Sequence, residues 1–524
     1  MTALSPSAKL SGTTARTPLT QMSAPRSSSA FSNSKPKPTR LPMLARHAGG
    51  FVFSSRSREE SGRSNGIFSH RPANTPRMNN PLNDLIEALG HSADVKTREL
   101  IQEGRHAHLV YYSSLCSDSR IGEHVITPFL ENSEMEDFVY SLRTSGAKPT
   151  EAGELTSKLT QGYVAVFVQG RIFTLSLTNP TNKAPVETNI ESNILGSRYA
   201  LSEVLDESLN QIRSRYPNPE LIAESYKAGR LSKLDGLVLY DSRMAEQGAL
   251  EEVRKRLKRL HVDTVSSTGE LMVLMNEMRF SLFPNMLVTE RSDRVALALS
   301  EGKIVLLLKG SPSALIAPAA FHDFMTSLDD INNQFWLSYA LILLRYISLA
   351  LTLFLPGLYV SIVSYNPEIF RMQLALSIAG SRAAVPYPSF VEVLIMLFII
   401  EALIESSIRL PRYIGATATT VGGLILGQAA QQAGLVSSIM IIIISTVAIA
   451  NFVIPINTMG FAMRFVKYPI VLLASFFGIL GITFGMFLLI VALCSMTSFG
   501  KPYLKLPDQF RFMKRYPRRK GGAV

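Results

Sequence analysis

Cysteine, tryptophan and charged residues are all scarce in this sequence of 524 residues. It contains one tryptophan and two cysteines, Cys116 and Cys494, which lie in parts of contrasting hydropathy. A framework of several disulfide bonds is therefore excluded, and a reducing environment is favoured. Only 18% of the residues are charged, whereas a typical soluble protein has about a quarter, and the mean hydropathy is +0.17. The sequence as a whole is more apolar than a water-soluble fold requires.

The residue patterns of the common enzyme classes are absent as well. All eight histidines precede the apolar C-terminal part, and none has metal-ligand spacing with cysteine or paired acids. No nucleophile elbow or dinucleotide-binding fingerprint occurs. The turn Gly310–Pro312 lacks the lysine and the glycine spacing of a phosphate-binding loop. We therefore predict a protein that is not an enzyme, with no catalytic residue, no cofactor and no bound metal.

Long stretches without any charge dominate the C-terminal part. No charged residue lies between Arg412 and Arg464, or between Lys467 and Lys501. Because about 20 apolar residues span the hydrocarbon of a bilayer, both stretches predict membrane crossings. An α-helical, multi-pass transmembrane domain is therefore expected over residues 335–500. Its apolar segments are Tyr346–Ser364, Ser389–Ile408, Tyr413–Val436, Ile439–Ile456 and Pro469–Phe499.

Positive charge is concentrated at the two ends. Residues 1–80 contain 12 Lys and Arg against two acids, and residues 501–524 contain eight against one. Because the ends contribute +10 and +7 to the net charge of +12, the residues between them carry −5. Basic ends beside an apolar domain indicate contact with anionic lipid headgroups rather than with nucleic acid. Residues 1–78, which are basic and rich in Ser and Pro, are predicted to be disordered, with a transit peptide as the alternative.

The basic tail also constrains the number of crossings. The first 40 residues have no apolar h-region, so insertion is expected to use internal segments. If the N-terminal region is cytoplasmic, the positive-inside rule keeps the tail 501–524 cytoplasmic too, which requires an even number of crossings. The segment 413–436 is rich in Gly and Gln and is predicted to enter the membrane only in part. This leaves about four full spans and one partial, re-entrant segment.

Between the basic N-terminus and the apolar part, strands and helices alternate. This pattern predicts an α/β or α+β soluble region of two subdomains, residues 79–200 and 201–330. No repeat at a fixed period is evident. Strands are predicted at His108–Leu115, Tyr163–Gln169, Phe173–Leu177, Gly236–Tyr240 and Ile304–Leu308, and helices at Arg120–Glu131, Thr268–Leu282 and Asp293–Glu301.

Acidic residues on the second apolar segment are the main candidate site. Glu401 and Glu405 are four residues apart and share one face of a helix. Acids at mid-membrane usually face a cavity or a partner, and a ring of them around an oligomer axis would concentrate cations. The alternative is structural, with Glu401 paired to Arg345 and Glu405 near the headgroups beside Arg409. Glu392 is a further ion-path candidate, but it lies near the start of the span and is expected at the interface.

Other residues suggest packing or subunit contacts. Arg345 could also extend to the interface as a snorkelling side chain. Pro356 and Gly357 predict a kink or break in the first span, static or acting as a gating hinge. Gly423 and Gly427 match a small-xxx-small helix-packing pattern. The alternating charges of Thr289–Arg294 suggest either contact with a neighbouring subunit or a solvated helix start, and the residues concerned are Glu290, Arg291, Asp293 and Arg294.

A series of short motifs now identifies a family. The sequence from about Tyr111 to Leu504 resembles the A subunits of the spore germinant receptors of endospore-forming bacteria, the GerA type. The motifs that carry the resemblance are, in order, Phe283-Pro284, Thr289-Glu290-Arg291, Asp293-Arg294, Glu301-Gly302-Lys303, Gly310-Ser311-Pro312, Leu355-Pro356-Gly357-Leu358-Tyr359-Val360, Val385-Pro386-Tyr387-Pro388, Ile408-Arg409-Leu410-Pro411, Gly427-Gln428-Ala429-Ala430 and Ser498-Phe499-Gly500-Lys501-Pro502-Tyr503.

The sequence departs from the usual pattern of that family at four positions. Ser292 stands where Pro follows Thr-Glu-Arg, and Lys309 where an acid precedes Gly-Ser-Pro. Ala383 stands where the family has Glu after Ser-Arg. Ile404 replaces a basic residue that is common between the two membrane glutamates, and it joins the candidate pore-lining residues. These differences concern local electrostatics and germinant specificity rather than family membership.

The resemblance implies a subunit of a nutrient (germinant) receptor in the spore inner membrane. Its implied partners are a permease-like B subunit, which binds the nutrient, and a lipoprotein C subunit. A subunits of this type are thought to form homo-oligomers around an ion pathway and to release monovalent cations when germinant binds. We therefore expect a gated cation channel, with a secondary transporter and a non-conducting membrane scaffold as alternatives.

Overall fold

The computed structural model describes residues 81–90, 92–179, 187–188, 191, 196, 199–276, 281–409, 422–423 and 425–504. The predicted disordered region, residues 1–78, lies outside these residues. So do residues 505–524 of the basic tail and residues 413–421 and 424 of the predicted re-entrant segment. All described residues belong to one unit, 77–524.

Subdomain 1 is an antiparallel sheet with helices packed on it. Its strands are ordered β1-β2-β4-β5-β3. The edge strand β1 was not predicted, because its charged side chains hide the alternation that is typical of a strand. The strand predicted at His108–Leu115 corresponds to β2, which begins three residues earlier. The elements are α1 (Pro81–Ala88), β1 (Val95–Gln102), β2 (Arg105–Tyr112), α2 (Asp118–Ile121), a π-helical turn (Gly122–Ile126), α3 (Thr127–Glu131), α4 (Met135–Thr144), β3 (Lys148–Pro149), α5 (Ala152–Thr160), β4 (Tyr163–Val168) and β5 (Arg171–Ser176).

Subdomain 2 is a second antiparallel sheet, ordered β6-β7-β9-β10-β8. The strand predicted at 304–308 and the helix predicted at 293–301 are confirmed, the helix one residue earlier in the chain. The helix predicted at 268–282 ends at Met275. The elements are α6 (Leu205–Arg215), β6 (Leu221–Ala228), β7 (Leu234–Asp241), α7 (Gln247–Lys258), α8 (Thr268–Met275), β8 (Leu287–Thr289), α9 (Ser292–Ser300), β9 (Ile304–Leu308) and β10 (Ala314–Ala317).

The two sheets have the same topology. Replacing β1–β5 by β6–β10 converts one strand order into the other. Gly162 and Gly170 bracket β4 as Gly302 and Gly310 bracket β9, and all four have positive φ angles of 74–85°, which glycine adopts without strain. The structure thus contains a duplicated sheet, although the sequence shows no repeat at a fixed period. The duplication is not visible in the sequence, because the two halves share a hydrophobic pattern and turn glycines but otherwise differ in amino-acid sequence.

A buried ion pair joins the two subdomains. Arg213 of α6 donates from Nε to Asp94 Oδ2 at 2.7 Å and from Nη2 to Oδ1 at 2.8 Å. Both residues are almost fully buried, and the guanidinium lies 4.1 Å from the ring centre of Tyr112. Burial alone would raise the pKa of Asp94, but the charge of Arg213 and the hydrogen bonds it donates outweigh burial and lower that pKa.

The C-terminal part consists of helices. Within the residues that the structure describes, two of these helices are long and apolar enough to cross a membrane by length and composition. These two are α11 and α15. Two shorter apolar helices, α14 and α16, accompany them. Among the described residues, the helices are α10 (Asp329–Asn332), α11 (Phe335–Tyr365), a 3-10 helix (Pro367–Ile369), α12 (Met372–Arg382), α13 (Ser389–Arg409), α14 (Ser438–Phe452), α15 (Asn457–Phe477) and α16 (Ile479–Ser495), and residues 422–423 and 425–432 are also helical.

Two predicted spans need correction. The helix α11, which contains the first predicted span, begins eleven residues before the predicted segment 346–364. It continues through Pro356 without a break. The predicted single span 469–499 consists of two helices, because α15 ends at Phe477 and Gly478 turns the chain with φ of +59°. Pro469, where that span was predicted to begin, lies in the interior of α15. Neighbouring helices can hold a proline-containing helix together inside a bundle.

Close packing at this turn gives a testable prediction. A Cβ at Gly481 would overlap with the backbone oxygen of Leu473, so Gly481→Ala forces α15 and α16 apart. We expect a loss of about 1–3 kcal/mol in unfolding free energy, measured by thermal unfolding in detergent. The control is Gly380→Ala in α12, where an added Cβ meets no atom within 4 Å. Equal stability of the two variants would contradict the packing described.

The chain returns to subdomain 2 after α16. The short strands β11 (Thr497–Ser498) and β12 (Lys501–Pro502) pair with each other. Ser498 Oγ donates to the backbone oxygen of Asn285 at 2.7 Å and accepts from the nitrogen of Ala319 at 3.0 Å. Phe321 N donates to the backbone oxygen of Tyr503, whose side chain is fully buried, at 2.9 Å. The segments before α11 and after α16 therefore attach to the same subdomain.

Candidate functional site

The central charged cluster joins α13 to α15. Arg464 and Lys467 are three residues apart and therefore share a face of α15. Arg464 Nη1 lies 3.1 Å from Glu401 Oε2, and Lys467 Nζ lies 2.8 Å from Glu401 Oε1. The side chains of Arg464 and Lys467 are 8% and 3% exposed, and that of Glu401 is 24% exposed. One carboxylate thus holds two buried cations.

The expected pair between Arg345 and Glu401 is not formed. Arg345 instead forms a bidentate pair with Asp330 of α10, with Nη2 3.0 Å from Oδ1. It also donates to the backbone oxygen of Met325 at 3.1 Å. Arg345 lies in the first third of α11, next to the segment that joins subdomain 2, whereas Glu401 faces α15. This pairing also replaces the snorkelling position as the role of Arg345.

Sequence reasoning missed Arg464 and Lys467, although a signal was present. They are the only two charged residues between Arg412 and Lys501. An isolated basic pair within an apolar stretch needs a carboxylate from another helix, because an unpaired charge in a membrane is unfavourable. In the sequence, Arg464 and Lys467 were considered only as the limits of the uncharged stretches, and no partner was assigned to them.

Glu405 and Ile404 have opposite environments. Glu405 is 58% exposed and pairs with Arg409, itself 77% exposed, at 2.7 Å. Ile404 is buried within the chain. The exposed face of α13 therefore carries Glu405, and the pore-facing position expected for Ile404 does not agree with its burial. The reason is helical geometry, since adjacent residues lie about 100° apart around the axis.

Glu392, which was expected at the interface, is fully buried in protein. Its Oε1 accepts hydrogen bonds from the backbone nitrogen and the hydroxyl of Ser437, at 2.6 and 2.7 Å. Arg382 Nε lies 3.5 Å from Oε2, and the Tyr359 hydroxyl donates to the same oxygen at 3.5 Å. Ser437 precedes the first residue of α14, so the carboxylate caps a helix N-terminus, where negative charge is favourable.

The glycines selected from the sequence lie at helix contacts. A Cβ at Gly357 would be 3.5 Å from the Cβ of Ala474, so α11 and α15 approach closely there. A Cβ at Gly423 would be 3.8 Å from Leu403 of α13, and one at Gly427 would be 4.0 Å from Ile441 of α14. Gly423 and Gly427 therefore approach two different helices.

Three of the four residues proposed for contact with a neighbouring subunit are buried within the chain, and the fourth, Asp293, is 24% exposed. Glu290 and Arg291 are 6% and 1% exposed, and Arg291 Nε donates to Asp293 Oδ1 at 3.0 Å. Arg294 lies 3.2 Å from Glu191. Arg291 and Arg294 therefore have ion-pair partners within the chain, and contact of this cluster with a neighbouring subunit stays a prediction.

Arg294 also takes part in the junction between subdomain 2 and α11. Its Nη2 donates to the backbone oxygen of Asp323 at 3.0 Å, and Lys303 Nζ lies 2.8 Å from Asp323 Oδ1. Burial opposes ionisation of Asp323, but Lys303 outweighs it and lowers the pKa of this carboxyl. His322 Nδ1 lies 3.1 Å from the hydroxyl of Tyr346 in α11, and burial lowers its pKa. Polar contacts thus connect the soluble region to α11.

A cavity of about 560 Å³ opens at this junction. Its apolar wall includes Leu297, Ile316 and Leu328, and its charged lining includes Lys303 and Lys501. Both lysines are paired with acids, Lys303 with Asp323 and Lys501 with Glu246. Among the described residues, no group of three or more His, Cys, Asp or Glu is arranged to hold a metal ion.

Comparison with known families gives one match over most of the chain. The family model described as Bacillus/Clostridium GerA spore germination protein matches residues 83–517. The chain is 31% identical to spore germination protein KA of Bacillus subtilis, over 82% of this chain and 81% of that protein. It is also 31% identical to the uncharacterized membrane protein YfkQ of the same organism, over 83% of this chain and 87% of that protein.

Solved structures also show a similarity to part of the chain. One of them is the N-terminal domain of the A subunit of the Bacillus megaterium spore germinant receptor GerK3, 24% identical, covering 46% of this chain and 94% of that domain. The TM-score is 0.36.

Proposed function

The chain belongs to the Bacillus/Clostridium GerA spore germination protein family, and from that premise we propose that it is the A-type membrane subunit of a germinant receptor. In this proposal several copies surround a gated path for monovalent cations in the spore inner membrane. A permease-like B subunit and a lipoprotein C subunit complete the receptor, and germinant binding shifts the closed–open equilibrium through unequal affinity for the two states.

Contacts between helix ends support a multi-pass arrangement. At the end of α11 remote from subdomain 2, Ser364 Oγ lies 2.5 Å from Ser389 Oγ at the start of α13. At the same end, the Tyr365 hydroxyl donates to the backbone oxygen of Ser475, near the end of α15, at 2.5 Å. α11 and α15 therefore run away from the soluble region, and α13 and α16 run back towards it.

This arrangement favours an even number of crossings. The chain leaves subdomain 2 into α11 and rejoins it after α16, so both ends of the helical part lie on one side. Ser437, at the start of α14, contacts Glu392 near the remote end, whereas Arg409 ends α13 at the near side. The two helix ends that flank residues 410–436 thus lie on opposite sides of the helical part, and we propose an even number of crossings in all.

The exposed carboxylate of Glu405 is the observation that carries the channel proposal. It lies on a helix that is otherwise mostly apolar, one turn before Arg409, and both side chains are exposed in the single chain. Such residues normally face a water-filled cavity or a partner. We propose that the face of α13 with Glu405 lines the cation path, and that Glu401 serves as a structural ion pair within each subunit.

Flux through liposomes containing the full-length chain tests this proposal. We expect passive monovalent-cation flux, and about a tenfold decrease in Glu405→Gln because one ring of negative charge is lost. The control is Glu203→Gln, a substitution at an exposed position in the soluble region. Nutrient uptake coupled to an ion gradient would indicate a transporter, and an absence of flux from every preparation would indicate a scaffold.

A further inference from the structure

An acidic face covers the helices of subdomain 1. Residues 118–144 contain six acids and two bases. Phe129 and Phe138 pack edge to face with ring centres 5.2 Å apart, which holds α3 and α4 together and leaves their other sides outward. Two large apolar side chains, Leu130 and Tyr140, are 52% and 74% exposed on this side. The exposed acids of this face are Glu123, Glu131, Glu134, Glu136 and Asp137.

A basic face covers the corresponding part of subdomain 2. Residues 247–263 contain five bases and three acids, and the turn 229–233 adds two bases. The turn is joined to the loop after α7, because Arg230 N donates to the backbone oxygen of Val262 at 2.8 Å. Leu231 is 69% exposed among these charges. The exposed bases of this face are Lys227, Arg230, Lys233, Lys255, Lys258 and Arg259.

The two faces occupy equivalent places in the duplicated fold. The acidic helices follow β2, the second strand of the first sheet, and the basic helix α7 follows β7, the second strand of the other. Each face combines an excess of charges of one sign with an exposed apolar side chain. Surfaces of opposite charge with apolar centres are complementary, because charge sets the register of an interface and apolar burial supplies affinity.

We propose that the acidic face of one copy binds the basic face of the next copy. This inference rests on the proposed oligomer and specifies which soluble surfaces build it. The contact is head-to-tail, since the two surfaces differ, and a head-to-tail contact closes into a ring when its rotation divides a full turn. Each copy then offers one acidic and one basic face, so a closed ring leaves neither uncovered.

Charge reversal of each face tests the contact in the full-length chain. Variant A carries Glu134→Lys, Glu136→Lys and Asp137→Lys; variant B carries Lys233→Glu, Lys258→Glu and Arg259→Glu. We expect each variant alone to weaken self-association at least about tenfold, because like charges then face each other. A chain that carries both sets of substitutions should recover the oligomer. Native mass spectrometry from nanodiscs measures the populations.

The matched control reverses three exposed acids elsewhere, Glu87→Lys, Glu203→Lys and Asp206→Lys, and should leave the oligomer intact. Recovery in the doubly reversed chain separates loss of contact from loss of folding. If the wild-type chain is monomeric, the proposed oligomer itself fails. If the wild-type chain is oligomeric and variants A and B associate equally well, the oligomer stands and this contact is overturned. The contact is also overturned if both variants fail and their combination does not recover.

Discussion

Asp94→Asn is expected to lower the unfolding free energy of the soluble region by about 3–5 kcal/mol, because it leaves a buried guanidinium without a counter-charge. Arg213 is 1% exposed and holds Asp94 through two short hydrogen bonds. It also donates to the backbone oxygen of Leu221 in subdomain 2 at 3.2 Å. Loss of the Asp94 carboxylate therefore affects contacts in both subdomains. Denaturant unfolding of the full-length chain, followed by circular dichroism, measures the difference.

The control for this substitution is an exposed pair of the same type. Arg230 and Asp263 are 2.8 Å apart but 77% and 56% exposed. Asp263→Asn should therefore change the unfolding free energy by less than about 1 kcal/mol. Similar changes in unfolding free energy for Asp94→Asn and Asp263→Asn would show that burial of the Asp94–Arg213 pair adds no stability to the contact between the subdomains.

The same carboxylate predicts a dependence on pH. The pKa of Asp94 is lowered in the folded chain, so folding favours the ionised form. The stabilisation is complete above the unfolded pKa of about 3.9 and is lost as pH falls through the lower folded value. Wild type should therefore lose stability below about pH 4, and Asp94→Asn should lose less of it over that range. If the unfolding free energies of wild type and Asp94→Asn fell equally over this pH range, Asp94 would not be the group responsible.

The soluble fold could be predicted where apolar side chains alternate or form runs. β4 and β9 have such patterns, and the structure places them at 163–168 and 304–308. β1 could not be recognised because Lys96, Arg98 and Glu99 give it the composition of a loop. Its strand character comes from hydrogen bonds with β2, which depend on residues outside the segment.

Only part of the candidate site could be predicted from the sequence. The spacing of Glu401 and Glu405 correctly indicated a shared helix, but it could not indicate which of them turns inward. That outcome depends on α15, more than 60 residues away, whose Arg464 and Lys467 take Glu401 into the protein. Arg345 was the expected partner on sequence grounds, yet Asp330 lies nearer along the chain and forms the pair. Partner choice between helices is a property of their packing.

Glu401→Gln is expected to destabilise the helical part far more than removal of either cation. Along the helix, Glu401 lies twelve residues after Ser389, the first residue of α13, which places it about 18 Å from the remote end at 1.5 Å per residue. That depth is close to the middle of a hydrocarbon layer of about 30 Å. Loss of the carboxylate leaves Arg464 and Lys467 buried together without a counter-charge. The expected loss is about 3–5 kcal/mol in unfolding free energy, as for other broken buried pairs.

Lys467→Met supplies the matched comparison. It leaves Glu401 paired with Arg464 alone, a balanced pair, and the methionine fills the space of the lysine stem. Replacement of buried charge by apolar volume is often neutral or stabilising, so we expect a change of less than about 1 kcal/mol. Thermal unfolding in detergent and cation flux in liposomes should be measured on the same preparations of both variants.

The direction of the two effects separates a structural pair from a pore-lining acid. If Glu401 faced the cation path, Glu401→Gln would reduce flux and leave unfolding unchanged, and Lys467→Met would increase flux by removing a positive charge. If Glu401 joins α13 to α15, as its distances to Arg464 and Lys467 indicate, Glu401→Gln should lower the unfolding temperature and Lys467→Met should not. The cation path would then depend on the exposed Glu405, whose substitution should change flux without changing stability.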